Sequence, residues 1–299
     1  YVVRCAVRRR LGGYRHLFTR PDHRSPLSLS GCRRVAVIGA GIAGIRTASV
    51  LAARGFDVTL HDRNVYLGGK IGAWHKRLSD GSDAVVDHGF HAFFRQYYNL
   101  NRFLDEVGIG RSFEAIDDYA IFDRDGSQLS FGRRDPTPLL NMLAMAREGL
   151  FRWRDVLRAP TRDEMGVFLE YDPVDTFERY DDVSYEDFAR DAELPPRLAL
   201  AFETFSRAFF ASPDRMSMAE LIKSFHVFTL GHDHGLIYDH PTDDFEASLL
   251  EPLTAHLEGL GVTLALGTAV DGIVPDDSGG YRVLGQRFDG VVLATSANA

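Results

Sequence analysis

The stretch VAVIGAGIAGIRTASVLAARGFDVTLHDRNVYLGGK, Val35–Lys70, decides the fold. Its apolar run Val35–Ile38 predicts a buried parallel strand. The run enters the turn Gly39-Ala40-Gly41-Ile42-Ala43-Gly44, a helical pattern follows, and a second strand, Phe56–Leu60, ends at Asp62. Each part has its own task in holding a dinucleotide. Gly39 permits the tight strand-to-helix turn, Gly41 lets the backbone touch a pyrophosphate, and Gly44 lets the helix lie close to the sheet. The helix start at Ile42 and Ala43 offers N–H groups and about half a positive charge to phosphates. Asp62, 18 residues after Gly44 and followed by Arg63, is placed to accept ribose hydroxyls. Glycine turns are common; strand, turn, helix, strand and acid in order within one βαβ length are not.

After Asp62 come five residues and then Gly68-Gly69-Lys70. A nicotinamide site needs nothing of this kind. A second glycine pair with a cation suits a larger, permanently held dinucleotide whose pyrophosphate is approached twice. The chain resembles the two-domain flavoproteins of the amine oxidase and carotenoid desaturase superfamily, in which this extended fingerprint binds FAD. The resemblance is carried by Gly39, Gly41, Gly44, Gly68, Gly69 and Lys70. It departs at Asp62, where the family more often has a glutamate, so this acid has one methylene less reach.

The bulk properties exclude several classes. The 299 residues, 45% hydrophobic and 25% charged, suit one large or two modest globular domains. Net charge is −8, yet residues 1–34 carry nine arginines against the single acid Asp22. An acidic body behind a basic arm argues against general nucleic-acid binding. The arm, residues 1–32, suits an anionic membrane surface, a targeting role or a disordered extension. No apolar run approaches the roughly 20 residues of a spanning helix. Cys5 and Cys32 exclude a disulfide framework and suit a reducing, cytoplasmic compartment. The start at Tyr1 and the stop just beyond the apolar run 291–294 give the chain a truncated look.

Along the chain, Ile71–Leu78 and Ala84–Val86 read as strands, Asn101–Val107 as a helix, and 118–132 as a hairpin around Asp125-Gly126. A helical pattern covers 138–159. Helices are expected at Leu194–Phe210, Met218–Phe228 and Leu249–Leu260, with Pro252 tolerable only in the first turn. Gly261–Val270 and Tyr281–Leu284 read as strands. The expected architecture is α/β: a Rossmann-like FAD-binding domain with an inserted α+β substrate domain. Residues 33–93 and 250–299 would form the first, and 94–249 the second. An active site at their junction follows.

Asp87–Leu100, DHGFHAFFRQYYNL, is the second informative stretch. It resembles the corresponding stretch of isorenieratene synthase-type carotene desaturases. That resemblance implies that His88, Gly89, Phe90 and His91 lie near the flavin ring, whereas Arg95 reads as structural. Phe202, Phe205, Phe209 and Phe210 make a helical stripe, with Phe225 and Phe228 on the next helix; core packing and a tunnel for a long apolar substrate both fit it. His226, His232, His234 and His240 lack cysteines and any usual zinc spacing, so no metal is expected. Asp239 and His240, near the end of a strand, are candidate proton acceptors. By resemblance, Val270 would pair with the adenine edge, and Ala294 and Thr295 would let backbone approach the cofactor.

No nucleophile elbow, P-loop or H-E-x-x-H motif is present. The resemblance implies an FAD-dependent oxidoreductase that desaturates, or also aromatizes, a long apolar polyene of the carotenoid class, peripherally bound to a membrane. Two rivals stand beside it: a flavin amine oxidase for a soluble amine, and a non-catalytic FAD- or membrane-binding fragment.

Overall fold

The computed structural model describes residues 33–116, 120–122, 126, 128–130, 146–147, 152–158, 161, 164, 166–232, 235 and 237–296. The basic arm, most of the helical pattern 138–159, and His234 lie outside them. The described chain forms two compact units: residues 33–92, 98–114 and 240–296 in one, 93–97 and 115–239 in the other.

The first unit is built on four parallel strands. The strand β1 (Arg34–Ile38) lies between β2 (Asp57–His61) and Gly290–Leu293, and Thr263–Ala265 extends the sheet beyond β2. Val35 to Ile38 are all buried, as a strand covered on both faces requires. Ala36 and Ile38 face Val283 and Phe288 of an antiparallel meander, Ile273–Pro275, Tyr281–Val283 and Gln286–Phe288. The helix α1 (Ile42–Ala53) packs against β1 and β2, and the helix Glu251–Gly259 packs on α1. Leu253 and Leu257 of that second helix are fully buried, each stabilising by about 1.5–3 kcal/mol. Pro252 falls in its first turn, as expected, behind a wide turn at Glu246–Leu250.

Two expected strands are shorter. Gly261–Val270 pairs only over Thr263–Ala265. Beyond it Gly267 and Thr268 donate their N–H groups to Asn64 O and Asp62 O at 2.7 and 2.8 Å, which turns the chain away. The strand expected from Ile71 starts at Ala73, because Gly69–Ile71 form a single helical turn behind Gly68.

The second unit is mainly helical. Its core gathers Phe168, Tyr185, Leu198, Phe202, Leu221 and Ile222. Ser184 and Ser217 cap two helices by accepting from Asp187 N–H and Glu220 N–H. Pro196 opens the helix Pro196–Ala208, as the prolines predict. The helix expected at Met218–Phe228 keeps α geometry to Phe225 and widens into a π turn over His226–Leu230. Gln96 Nε2 donates to the carbonyls of Val227 and Phe228 at 2.9 and 3.0 Å. The hairpin expected at 118–132 pairs Ala120–Phe122 with Gln128–Ser130.

Candidate functional site: a dinucleotide cradle

The cradle is assembled from the ends of β1 and β2 and the start of α1. Gly39 adopts φ +103°, and a Cβ there would stand 2.7 Å from Ala294 O. Its N–H donates to His61 O at 2.8 Å, while Ala294 N–H donates to Ile38 O at 2.8 Å. Ala294 and Thr295 thus press backbone against backbone at the turn. A methyl on Gly44 would overlap the Gly39 carbonyl oxygen, so helix and turn can touch only if Gly44 has no side chain. Gly41 is different: nothing lies within 4 Å of a Cβ built there. Its lack of a side chain serves an open space rather than packing.

Gly41 is the N-cap of α1, with no side-chain cap and no acid in the first turn. The first intrahelical bond runs from Ile45 N–H to Gly41 O at 2.9 Å. The N–H groups of Ile42, Ala43 and Gly44 therefore precede the helical ladder and point where an anion is favoured. The second glycine pair closes on the first. Gly68, at φ +101°, donates to Ala40 O at 2.8 Å, and a Cβ on Gly69 would stand 3.2 Å from Gly41 Cα. Lys70, next in the chain, is exposed, as is Arg63 after Asp62. This double glycine layer with an uncapped helix start fits the pyrophosphate of a dinucleotide.

Asp62 ends β2 under the turn. Its Oδ2 accepts Ala40 N–H at 2.7 Å and its Oδ1 accepts Asn64 N–H at 2.8 Å. Val270 follows the Gly267-Thr268 turn and packs against the Ala36–Phe288 cluster. From the second glycine turn the structure continues into His88–His91. Gly72 O accepts His88 N–H at 3.0 Å. A Cβ on Gly72 would run into the Tyr66 ring, which stacks on Trp74 at 5.7 Å; the His88 ring is tilted 6.2 Å from Trp74. Asp87 Oδ1 accepts Phe245 N–H at 3.1 Å, and the Phe245 ring meets His91 edge-on at 5.9 Å. His88, Gly89 and Phe90 are exposed, and His91 is half-buried with Nδ1 3.2 Å from Gly89 O. One unit therefore brings together the glycines, Asp62 and the His88–His91 segment.

The chain belongs to the flavin containing amine oxidoreductase family. The family's profile matches residues 42–299, and FAD is the cofactor it implies. The chain is 39% identical over 273 residues to carotenoid phi-ring synthase of Streptomyces griseus, covering 89% of this chain and 52% of that protein. It is 32% identical to carotenoid phi-ring synthase of Chlorobaculum tepidum, covering 88% and 40%. A 15-cis-phytoene desaturase of Capsicum annuum is 26% identical, covering 83% and 43%. The chain thus spans about half the length of the curated relatives it matches. Among solved structures, putrescine oxidase bound to putrescine superposes with a TM-score of 0.54 at 16% identity, covering 88% of this chain and 58% of that one. An oxidoreductase from Methanosarcina mazei gives 0.52 at 15% identity, covering 87% and 58%. These structural likenesses establish the α/β fold expected from the sequence.

Of the remaining candidate side chains of this flavin-family chain, Asp239 lies in the second unit. Asp239 is in a strand, Tyr238–Pro241, that pairs with Phe93–Phe94. Its carboxylate accepts from Arg95 Nη2 at 3.1 Å. His240, which belongs to the first unit, has Nε2 3.2 Å from Glu114 Oε1. Strand alternation sends Asp239 and His240 to opposite faces. Among the described residues no group of three His, Cys, Asp or Glu side chains is placed to hold a metal ion.

The phenylalanine stripe divides. Phe202 and Phe225 enter the core, where Phe168 stacks on Phe202 at 4.4 Å. Phe205 packs against the same core and also starts a row of rings, Phe205, Phe209, Phe228 and Phe94, with successive centres 5.0, 5.3 and 4.7 Å apart. Tyr97 and Tyr238 flank Phe94, and burial pushes both phenols up, so this wall carries no phenolate at neutral pH. Phe210, next in the chain, is fully exposed at φ +60°. Sequence reasoning missed Phe94, Gly72, Tyr66 and Trp74. The repeat of glycine three residues after Gly69 was the available signal for Gly72; the ring partners are long-range pairings with no local signature.

Proposed function

We propose that this chain is the FAD-binding part, with much of the substrate-binding part, of an oxidoreductase that desaturates a carotenoid and in some form also aromatizes it. Residues 33–93 and 250–299 would be the FAD-binding domain, and 94–249 the substrate domain. The observation that carries the reading is the uncharged row Phe205–Phe209–Phe228–Phe94. A conjugated hydrocarbon stacks on such a wall, whereas a cationic amine would want carboxylates beside the reacting carbon. The relatives named for carotenoid chemistry support the same substrate class.

Bound FAD supplies the acceptor for a hydride. The chain's own residues do the rest. Gly39, Gly41, Ile42, Ala43, Gly44, Gly68, Gly69 and Lys70 hold the pyrophosphate; Asp62, with Arg63 beside it, meets the ribose. Val270 meets the adenine, and Ala294 and Thr295 close the back of the turn. Gly89, Phe90 and His91 would hold the isoalloxazine, as the resemblance implies. His88 and His91 are the proton-holding groups on that side. Asp239 and His240 are the alternatives, paired with Arg95 and Glu114 respectively. The aromatic row orients the polyene and excludes water.

A carotenoid has to come from lipid. Among the described residues no helix is long and apolar enough to cross a membrane. The exposed Phe210 and its partly exposed neighbour Phe209 support peripheral contact with a membrane from the cytoplasm. Purified protein is expected to take up FAD, with absorbance maxima near roughly 375 and 450 nm. Under anaerobic conditions a carotene should bleach the flavin and amines should not. Bleaching by an amine alone would establish the amine oxidase instead, and failure to bind FAD would leave a non-catalytic fragment.

A further inference from the structure

We infer that Asp62 is a positioning residue that holds the first glycine turn in its binding shape before a dinucleotide arrives. The idea rests on the FAD reading only for the part played by the ribose. Asp62 is tied at four points. Its Oδ2 takes Ala40 N–H and its Oδ1 takes Asn64 N–H, at 2.7 and 2.8 Å. Its own N–H donates to Ala265 O at 3.2 Å, and its carbonyl accepts Thr268 N–H at 2.8 Å. The glycine turn, the segment after β2, the neighbouring strand and the Gly267-Thr268 turn therefore meet on one residue.

This arrangement divides the donors of the turn. Ala40 N–H is committed to the carboxylate, while the N–H groups of Ile42, Ala43 and Gly44 precede the helical ladder and are left for an anion. A carboxylate has about four acceptor positions on its two oxygens, and the two N–H groups use one on each. One position per oxygen is left for a ribose hydroxyl. The shorter side chain matters here. A glutamate in the same rotamer would carry its oxygens about 1.5 Å further, within reach of a ribose but past Ala40 N–H. Aspartate is the acid that can do both.

The test compares Asp62→Glu, Asp62→Asn and Asp62→Ala with the unchanged chain, by amide hydrogen exchange without flavin and by FAD titration. In the unchanged chain the Ala40 and Asn64 amides should be protected in the absence of flavin. Asp62→Ala should speed exchange at Ala40 about 10- to 100-fold, as loss of a hydrogen bond to a charged group predicts. Asp62→Glu should lose the Ala40 protection while keeping FAD affinity within about tenfold of the unchanged chain. Should Asp62→Ala not fold, the isosteric Asp62→Asn decides: its single acceptor oxygen can serve only one of the two amides. Unaltered exchange at both Ala40 and Asn64 in the flavin-free variants, with only FAD affinity falling, would overturn the inference and leave Asp62 a simple ligand. If even the unchanged chain binds no FAD, the proposed function fails, but the flavin-free exchange still decides the role of Asp62.

Discussion

Gly41 and Gly44 are three residues apart in one turn, yet the structure gives their missing side chains different reasons. Gly44→Ala would drive a methyl into the Gly39 carbonyl and should destabilise the protein by roughly 3 kcal/mol. Gly41→Ala meets nothing within 4 Å. It should leave thermal stability near the parent value and weaken FAD binding, because the methyl would enter the open space that the proposed function gives to the pyrophosphate. Melting curves and FAD titrations on the two variants check this, and equal loss of stability in both would contradict it. His61 offers a second residue-level test. Its ring is 4% exposed, meets Phe288 edge-on at 6.1 Å, and neither ring nitrogen has a hydrogen-bond partner. An orphaned buried polar group costs about 1–3 kcal/mol. His61→Leu should therefore raise the melting temperature.

At the scale of elements, the helix Pro196–Ala208 and its C-terminal extension serve two purposes at different positions. Phe202 is stacked in the core, and Phe202→Ala should cost about 3–5 kcal/mol. Phe210 follows the end of the same helix, fully exposed and in a left-handed conformation that a non-glycine residue adopts at a cost of about 1 kcal/mol. Phe210→Gly should then raise stability by about 0.5–1 kcal/mol and reduce sedimentation with lipid vesicles. A stabilised variant with undiminished vesicle binding would remove Phe210 from the membrane contact. Heptad-like spacing alone cannot separate these residues. It reports that Phe202, Phe205 and Phe209 share a helix face, and only their distant neighbours, Phe168 stacked on Phe202 and Phe228 beside Phe209, show that the first is core, the second borders it and the third belongs to the row.

Across the whole molecule, burial holds the imidazoles of His61, His226 and His256 below the ordinary value of 6.5, with the Arg46 charge adding to the effect at His256. The unfolded chain takes up these protons near pH 6.5, while the folded chain refuses them until lower pH. Stability is therefore full above pH 6.5 and falls as the pH drops through that value. A second decline is expected between pH 4 and 2, because backbone N–H groups of Arg34 and Arg33 hold the Asp289 carboxyl down to about 2. Melting temperature against pH should show both, and His61→Leu should flatten the first. The sequence by itself determined the β1–α1–β2 unit and the two glycine pairs that close on one another. Those features are local: strand, turn and helix are set by a contiguous run of apolar periodicity and glycine placement. It also located the His88–His91 segment by its unusual composition. Tertiary structure decided what depends on distant partners. Asp62 turns back to Ala40 because the turn presents an N–H there. Asp239 is bound by Arg95, a partner 144 positions away in the chain. The Gly261–Val270 strand stops early because Asp62 and Asn64 offer carbonyls to its amides. The meander at residues 273–288 covers β1 because Ala36 and Ile38 present an apolar face that must be buried, and no local pattern announces which segment will bury it.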